Sequence, residues 1–190
     1  MAKEGNFREY VYPVIILSVI CAVTTALLAV TDYVSAPVIK INQEKAAGQT
    51  RMELLSGADD FTDVTGESDG LAVNEKAEVV EVFKANNGAG YVYTVKSTSF
   101  GGEMTMMVGI SGDGSVTGVS VTDHQDTPGV GTKDHDKDYL AQYVGRSFLD
   151  SENVKKETDF EYITGASVTG TAIHEGVYAA LEQFKEDAGK

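Results

Sequence analysis

The pattern of apolar positions separates one long uncharged segment near the start of the chain from shorter segments further on. Residues Tyr10–Thr31 contain no charged side chain, and a helix of that length spans roughly 30 Å, the thickness of a bilayer's hydrocarbon core. Lys3 and Arg8 precede this segment, and positive charge before a first span favours a cytoplasmic N-terminus. The pattern predicts a cytoplasmic tail over 1–9 and a lipid-embedded, single-pass transmembrane helix over 10–34, with the remainder outside the cytoplasm.

A cleaved signal peptide is the alternative interpretation of this segment. The best small-residue cleavage site, Val34-Ser35-Ala36, is followed by Pro37, which suits cleavage poorly, and the apolar run is long for a signal peptide. A retained anchor in the cell (inner) membrane is therefore the favoured prediction.

The residues after the span predict a connector and one extracytoplasmic domain. Residues 35–55 predict a helical connector, whose polar part, Asn42–Leu55, is mostly helical and interrupted at Gly48. Residues 56–190 have the length of a single domain. The stretch Ser56–Glu75 is acidic and rich in Gly, Asp and Ser, which predicts a loop with at most one short element.

Alternating apolar residues in the exported domain predict two β-hairpins followed by helices. The turn pairs Asn87-Gly88 and Asp113-Gly114 lie at the hairpin tips. Helical periodicity predicts a short helix over Lys137–Val144 and an amphipathic helix over Thr171–Phe184. Strands followed by helices indicate an α+β domain built on an antiparallel sheet. The four predicted strands are Ala77–Phe83, Gly90–Val95, Thr105–Ile110 and Val116–Val121.

Composition narrows the possible partners and sites. The net charge of −14 argues against nucleic acid, whose phosphates require Lys and Arg. The single cysteine, Cys21, lies in the predicted span, so no disulfide or thiolate metal site is expected in the exported domain. The row Asp134–Asp138 resembles the first positions of a calcium loop, but Tyr139 and Gly145 occupy the positions that require Gly and Glu. A solvated acidic face is the preferred interpretation, and no metal site is predicted.

The turn Thr164–Thr169 combines hydroxyl groups with a Gly-Ala pair directly before the amphipathic helix. The N-terminus of a helix carries unpaired N–H groups and a partial positive charge, which together stabilise a phosphate. A hydroxyl group at this point could hold a phosphate covalently. An ordinary Ser/Thr helix cap remains the alternative.

The run Glu161–Ser167 resembles the flavinylation motif of the FMN-binding domain family, Asp-x-x-Ser/Thr-Gly-Ala-Thr. Glu161 stands in the place of the Asp and Ser167 in that of the final Thr. The resemblance implies covalent FMN, joined by a phosphoester to Ser167, with Thr169 as the second candidate. It also implies cofactor contacts from the neighbouring residues Thr164, Gly165, Ala166 and Val168.

Two further segments resemble loops of the FMN-binding subunits of ion-pumping redox complexes. One is the Gly-Gly loop Ser99–Gly102, and the other is the turn His124–Gly131, in which Asp126 and Val130 replace a Glu and a Leu. On the residues alone, the turn is also explained as a connector between a strand and a helix. The resemblance implies FMN contacts from Phe100, Gly101, Gly102, His124, Thr127, Pro128, Gly129 and Gly131. Core packing is the alternative role of six candidate flavin-packing side chains, namely Tyr91, Tyr93, Phe100, Met104, Met106 and Tyr162.

Together these segments imply an electron-relay subunit with covalent FMN in an Rnf-type complex, an ion-translocating ferredoxin:NAD oxidoreductase of the membrane. The implied partners are the other membrane subunits of that complex and a flavin transferase that uses FAD as donor. The chain has no apparent nicotinamide or quinone site, so we do not expect catalysis by this chain alone. An NqrC-like subunit of a sodium-pumping quinone reductase and an anchored, pilin-like structural protein are the alternatives.

Overall fold

The computed structural model describes residues 10–68, 76–129, 131–157 and 159–188, and it divides into two units, Met1–Ala46 and Ala47–Lys190. The predicted cytoplasmic tail, 1–9, lies outside the described residues. The first described element is the helix α1, Tyr12–Leu54, which is long and apolar enough to cross a membrane. In its apolar part the hydroxyl groups of Thr24 and Thr31 donate to the carbonyls of Ile20 and Leu27, so neither is left without a partner.

The predicted interruption of the connector at Gly48 is wrong, because α1 continues through this residue without a break. A glycine inside a helix costs only about 1 kcal/mol relative to alanine. The hydrogen bonds of the surrounding turns are therefore sufficient to carry the helix through it.

The second unit contains a five-stranded antiparallel sheet in which the strands lie side by side in chain order. All four predicted strands are present, each one to three residues longer at one or both ends than the alternation indicated. The additional strand, β1, lies in the acidic stretch, where the sequence predicted at most one short element. The bounds are β1 Phe61–Asp63, β2 Ala77–Ala85, β3 Gly90–Thr98, β4 Glu103–Ser111 and β5 Val116–Asp123.

Short helices and one long helix follow the sheet, which confirms the predicted α+β class. The predicted helix over Lys137–Val144 is a four-residue α-helix, α2 (Lys137–Leu140), continued by a 3₁₀ turn over Ala141–Tyr143. Further 3₁₀ turns lie at Gly131–His135 and Val154–Lys156. The last helix, α3, is Ser167–Ala188. It begins four residues before the predicted Thr171, because the apolar stripe that indicates the helix starts only at Ile173 and the one apolar residue of the first turn, Val168, is exposed.

The main core lies between α3 and one face of the sheet. The predicted apolar stripe of α3 is buried there, and its members are Ile173, Val177, Ala180, Leu181 and Phe184. Facing it from the strands are fully buried side chains that include Tyr93, Val95, Met104, Met106 and Val108. Three of the six candidate flavin-packing side chains (Tyr93, Met104 and Met106) are therefore core residues with no exposed surface. A smaller cluster comprises Leu54, Leu55, Ala85, Val92 and Met107.

Candidate functional site

The register of the sheet brings the start of β2 next to the end of β3. Ala77 pairs with Ser97, and the backbone N–H of Thr98 donates to the carbonyl of Lys76 over 3.3 Å. Ser99 follows at once and begins the Gly-Gly loop. This corner of the sheet therefore brings a lysine together with two hydroxyl side chains from a distant part of the sequence.

A pocket of about 490 Å³ lies at this corner, against the first turns of α3. Its volume falls within the range of roughly 300–1,000 Å³ that is typical of small-molecule sites. Ser167, Thr171 and Glu175 recur every four residues and form one ridge of α3 along the pocket. The lining residues are Lys76, Thr98, Ser99, Asn153, Lys155, Ser167, Val168, Thr171 and Glu175.

Ser167, the first residue of α3, lines this pocket. Gly165 has a positive φ of +95°, a conformation that glycine adopts without strain, and α3 begins two residues later. Because the residue before the helix is Ala166, whose methyl group cannot accept a hydrogen bond, an ordinary side-chain cap is absent at that position. The first N–H groups of a helix have no intrahelical acceptor, and they begin beside Ser167.

Ser167 and Thr169, the two candidate acceptors, differ sharply in accessibility. Ser167 is half-buried and lines the pocket. Thr169 has no exposed surface, and its hydroxyl group has no hydrogen-bond partner among the described residues. A reagent that enters the pocket therefore reaches Ser167 and not Thr169.

The pocket has a positive charge balance that suits a phosphate group. Lys76 and Lys155 line it, and the only lining carboxylate in the described part of the chain is that of Glu175. Lys76 is paired with Glu175 at 3.3 Å. Lys155 is exposed, on the 3₁₀ turn opposite α3. Two cations against one anion leave the pocket able to neutralise a negative ligand.

A buried carboxylate joins the Gly-Gly loop to the turn His124–Gly131. Oδ1 of Asp126 accepts from the hydroxyl group of Ser99 at 3.0 Å and from the backbone N–H of Gly101 at 2.8 Å. Its Oδ2 lies 3.4 Å from Nε2 of His135. Hydrogen bonds to a charged acceptor are the stronger kind. The two segments are therefore held together as one loop pair.

The packing of this loop pair requires two of its glycines. A Cβ atom on Gly101 would lie 2.4 Å from the carbonyl oxygen of Gln125, and one on Gly131 would lie 2.9 Å from Cβ of Asp126. Both predicted site glycines thus have a steric reason to be glycine. Their contacts are with the neighbouring loop, and cofactor contact by either one stays a prediction.

Most of the other predicted site residues lie outside the pocket lining. In the part of the chain that the structure describes, the predicted site residues that line the pocket are Ser167 and Val168. The side chain of Phe100 is 77% exposed, and His124 packs its ring against that of His135, with centroids 4.4 Å apart. Thr127, Pro128, Gly129, Thr164 and Gly165 are exposed, Gly102 is half-buried and Ala166 is buried.

The acidic row Asp134–Asp138 is not uniformly solvated, so that prediction is wrong for Asp134. Asp136 and Asp138 are exposed, whereas Asp134 has no exposed surface. Burial, reinforced by the negative charge of Asp126 and opposed by the N–H of Gly170, raises the pKa of Asp134 to about 6. A Cβ on Gly170 would lie 3.0 Å from Oδ2 of Asp134, so this carboxyl group packs directly against the first turn of α3.

Seven of the nine lining residues were not among the predicted site residues, although one of them, Ser99, begins the predicted Gly-Gly loop. The four-residue spacing from Ser167 could have identified Thr171 and Glu175 once the helix start was known. Lys76 and Thr98 depend on the strand register, and no local signal marks Asn153 or Lys155. Among the described residues, no group of three His, Cys, Asp or Glu side chains is arranged to hold a metal ion.

Comparisons with known proteins identify a matching domain family and related whole chains. The FMN-binding domain family matches residues 99–182, which run from the Gly-Gly loop into α3. The G subunit of the Na(+)-translocating ferredoxin:NAD(+) oxidoreductase complex of Acetobacterium woodii is 31% identical over 186 residues, covering 90% of this chain and 89% of the relative.

Two further relatives match almost from end to end. The G subunit of the proton-translocating ferredoxin:NAD(+) oxidoreductase complex of Clostridium ljungdahlii is 28% identical over 193 residues, covering 100% of this chain and 99% of the relative. The G subunit of the ion-translocating oxidoreductase complex of Methanosarcina acetivorans is 28% identical over 189 residues, covering 97% and 100% respectively.

Proposed function

Since this chain belongs to the family of G subunits of ion-translocating oxidoreductase complexes, we propose that it is the FMN-carrying electron-relay subunit of such a complex. Two relatives that match along nearly their whole length are named as subunits of ferredoxin:NAD(+) oxidoreductase complexes. One name specifies proton translocation and the other Na(+) translocation. Both names share electron transfer between ferredoxin and NAD, and this is the role that we propose for the complex of this chain. Its partners are the other membrane subunits of that complex.

The pocket at the start of α3 fits FMN in size and in chemistry. It provides about 490 Å³, a helix N-terminus for the phosphate and lysines on two sides. When bound there, FMN supplies one- and two-electron redox chemistry. Ser167 holds the phosphate, Lys155 and the N–H groups of the first turn of α3 offset its charge, and the loop pair joined by Asp126 fixes the wall that carries Ser99.

We further propose that the attachment to Ser167 is covalent. A flavin transferase joins Oγ of Ser167 to the FMN phosphorus of FAD, the bond to AMP breaks, and AMP and the hydroxyl proton leave. The single observation that carries this assignment is the accessibility of Ser167 in the pocket, where Thr169 has no exposed surface. The covalent bond prevents loss of the cofactor by dilution outside the cytoplasm.

The proposed topology follows from α1 and from the charges that precede it. Lys3 and Arg8 favour a cytoplasmic N-terminus, which places the FMN-binding domain on the extracytoplasmic side of the cell membrane. The apolar part of α1 contacts lipid and is available to the other subunits of the complex.

The experiment that tests the proposal compares the full-length chain produced with and without a flavin transferase. With the transferase, the denatured protein should fluoresce yellow-green in a gel, and its intact mass should increase by that of FMN less one water. Without the transferase, the mass should be that of the bare chain. A bare mass in the presence of active transferase would contradict covalent attachment. Co-purification with quinone-reductase subunits from the native host would favour the NqrC-like alternative.

A further inference from the structure

Glu175 is a buried carboxylate on the pocket ridge of α3, two turns beyond Ser167. Its exposed fraction is 6%, and it lines the same pocket as Ser167. Oε1 accepts a hydrogen bond from Nζ of Lys76 over 3.3 Å. Oε2 is buried and has no hydrogen-bond partner among the described residues. One oxygen is thus engaged, and the other lacks a donor.

The surroundings of Glu175 do not compensate for burying its charge. Burial raises the pKa of Glu175, the negative charge of Glu152 raises it further, and Lys76 opposes the shift. The Lys76 side chain is 58% exposed, and ion pairs with so exposed a partner contribute little to stability. A buried acceptor that lacks a donor is unfavourable. The Lys76–Glu175 ion pair therefore contributes little to the stability of the fold.

The Lys76–Glu175 pair belongs to the lining of the proposed FMN pocket, and Oε2 of Glu175 is the oxygen that lacks a donor. Lys76 precedes β2, Thr98 ends β3 and Glu175 lies on α3, so the Lys76–Glu175 pair joins the sheet corner to the helix within the pocket lining. Lys155 is the other charged group of the lining. FMN carries hydroxyl groups along its ribityl chain and an N–H on its ring, all of which are donors.

We propose that Glu175, held in place by Lys76, accepts a hydrogen bond from FMN through Oε2 and lowers the midpoint potential of the flavin. This inference rests on the proposed function, because it places FMN in the pocket of Ser167. Glu175 is a positioning residue whose negative charge opposes the charge gained on reduction. The ammonium group of Lys76 has the opposite effect on the potential, and the measured value reflects the balance of the two.

The test measures the flavin midpoint potential by spectroelectrochemistry at pH 8, on full-length FMN-loaded protein in detergent. Glu175→Gln preserves the size of the side chain and removes its charge, so the potential should become more positive. Lys76→Gln leaves the carboxylate without its counter-charge, so the potential should become more negative. Glu182→Gln is the matched control, because Glu182 lies on the same helix, is partly exposed and pairs with Lys185 away from the pocket. Its potential should equal that of the unsubstituted protein.

The intact mass of each sample separates failure of this inference from failure of the proposed function. Loaded protein whose potential does not respond to either Glu175→Gln or Lys76→Gln, or responds with the reverse signs, would overturn the role of Glu175 and leave covalent FMN in place. A bare mass in the unsubstituted protein instead contradicts the covalent attachment that the proposed function includes. If Glu175→Gln does not fold, Glu175→Ala takes its place, and its potential should likewise become more positive. Lys76→Gln does not decide alone, because loss of its own positive charge lowers the potential.

Discussion

Three buried carboxylates surround the beginning of α3, and each has a different environment. Oδ1 of Asp126 accepts from two donors of the Gly-Gly loop, and its Oδ2 lies 3.4 Å from Nε2 of His135. Glu175 shares a lysine and faces the pocket. Asp134 packs against the first turn of α3, and neither of its oxygens has a side-chain partner among the described residues. The negative charge of Asp134 is therefore the least stabilised of the three.

The raised pKa of Asp134 predicts a pH-dependent loss of stability. The pKa is about 6 in the folded chain, against the ordinary aspartate value of 3.8. Between these values the folded state retains a proton that the unfolded state has lost, so stability is present below pH 4 and is lost as the pH rises through 6. At about 1.4 kcal/mol per pKa unit, the loss is about 2–3 kcal/mol.

The Asp134→Asn variant has no titrating group at this position, so comparison with the unsubstituted protein gives the part of the pH dependence that is due to Asp134. Urea unfolding of the full-length chain gives the free energy of unfolding of both proteins. The difference, variant minus unsubstituted protein, should be about 2–3 kcal/mol larger at pH 7.5 than at pH 4. Asp136→Asn is the control, since Asp136 is exposed, and its difference should not change with pH. A constant difference for Asp134→Asn would contradict the raised pKa of Asp134.

At the scale of elements, the site depends on close contact between two loops and a sheet corner. Ser99 both lines the pocket and donates to Asp126. The pocket wall is therefore only as well defined as the contact between the Gly-Gly loop and the turn His124–Gly131. Gly101 lies at that contact, where a Cβ would approach three backbone atoms of Gln125 and Asp126 within 2.6 Å.

The Gly101→Ala substitution should separate the two loops. Because the clashing atoms are backbone atoms, the loops must move, and we expect a loss of about 1–3 kcal/mol in the free energy of unfolding. FMN loading by the transferase should fall with it. Gly66→Ala is the matched control, since nothing lies within 4 Å of a Cβ at that loop position. Equal stability and loading of the two variants would contradict the loop contact.

Elements with local signals were predictable from the sequence, and the pocket was not. The alternation of apolar and polar residues, with the turn pairs Asn87-Gly88 and Asp113-Gly114, was enough to predict four strands. Both signals act between neighbouring residues. The start of α3 was missed, since its apolar stripe begins only at Ile173. Asp134 was misplaced, because a row of charges usually indicates a surface. Lys76 and Thr98 meet only through the strand register, which a single sequence does not specify.

At the scale of the whole molecule, the chain combines a membrane anchor with an acidic domain. The net charge of −14 disfavours docking of the domain on anionic lipid headgroups. Attachment to the membrane therefore rests on α1. The proposed orientation rests on the few charges that flank it, among which Lys3 and Arg8 precede the span.

The orientation can be tested with reporters fused to the C-terminus. Alkaline phosphatase, which is active only outside the cytoplasm, should be active in the fusion, and a cytoplasmic fluorescent reporter at the same position should be dark. Replacing Lys3 and Arg8 with Glu should lower phosphatase activity, because positive charge retains the N-terminus inside. An active cytoplasmic reporter in the unsubstituted chain would reverse the proposed topology.

The central claim, that the hydroxyl group of Ser167 holds FMN, is tested most directly by intact-mass measurement of three variants produced with the flavin transferase. Ser167→Thr retains a hydroxyl group and Thr169→Val replaces a buried one without changing the shape of the side chain, so both should gain the mass of FMN less one water. Ser167→Ala should remain at the bare mass while staying folded. Label on Ser167→Ala, or its loss only from Thr169→Val, would contradict the account.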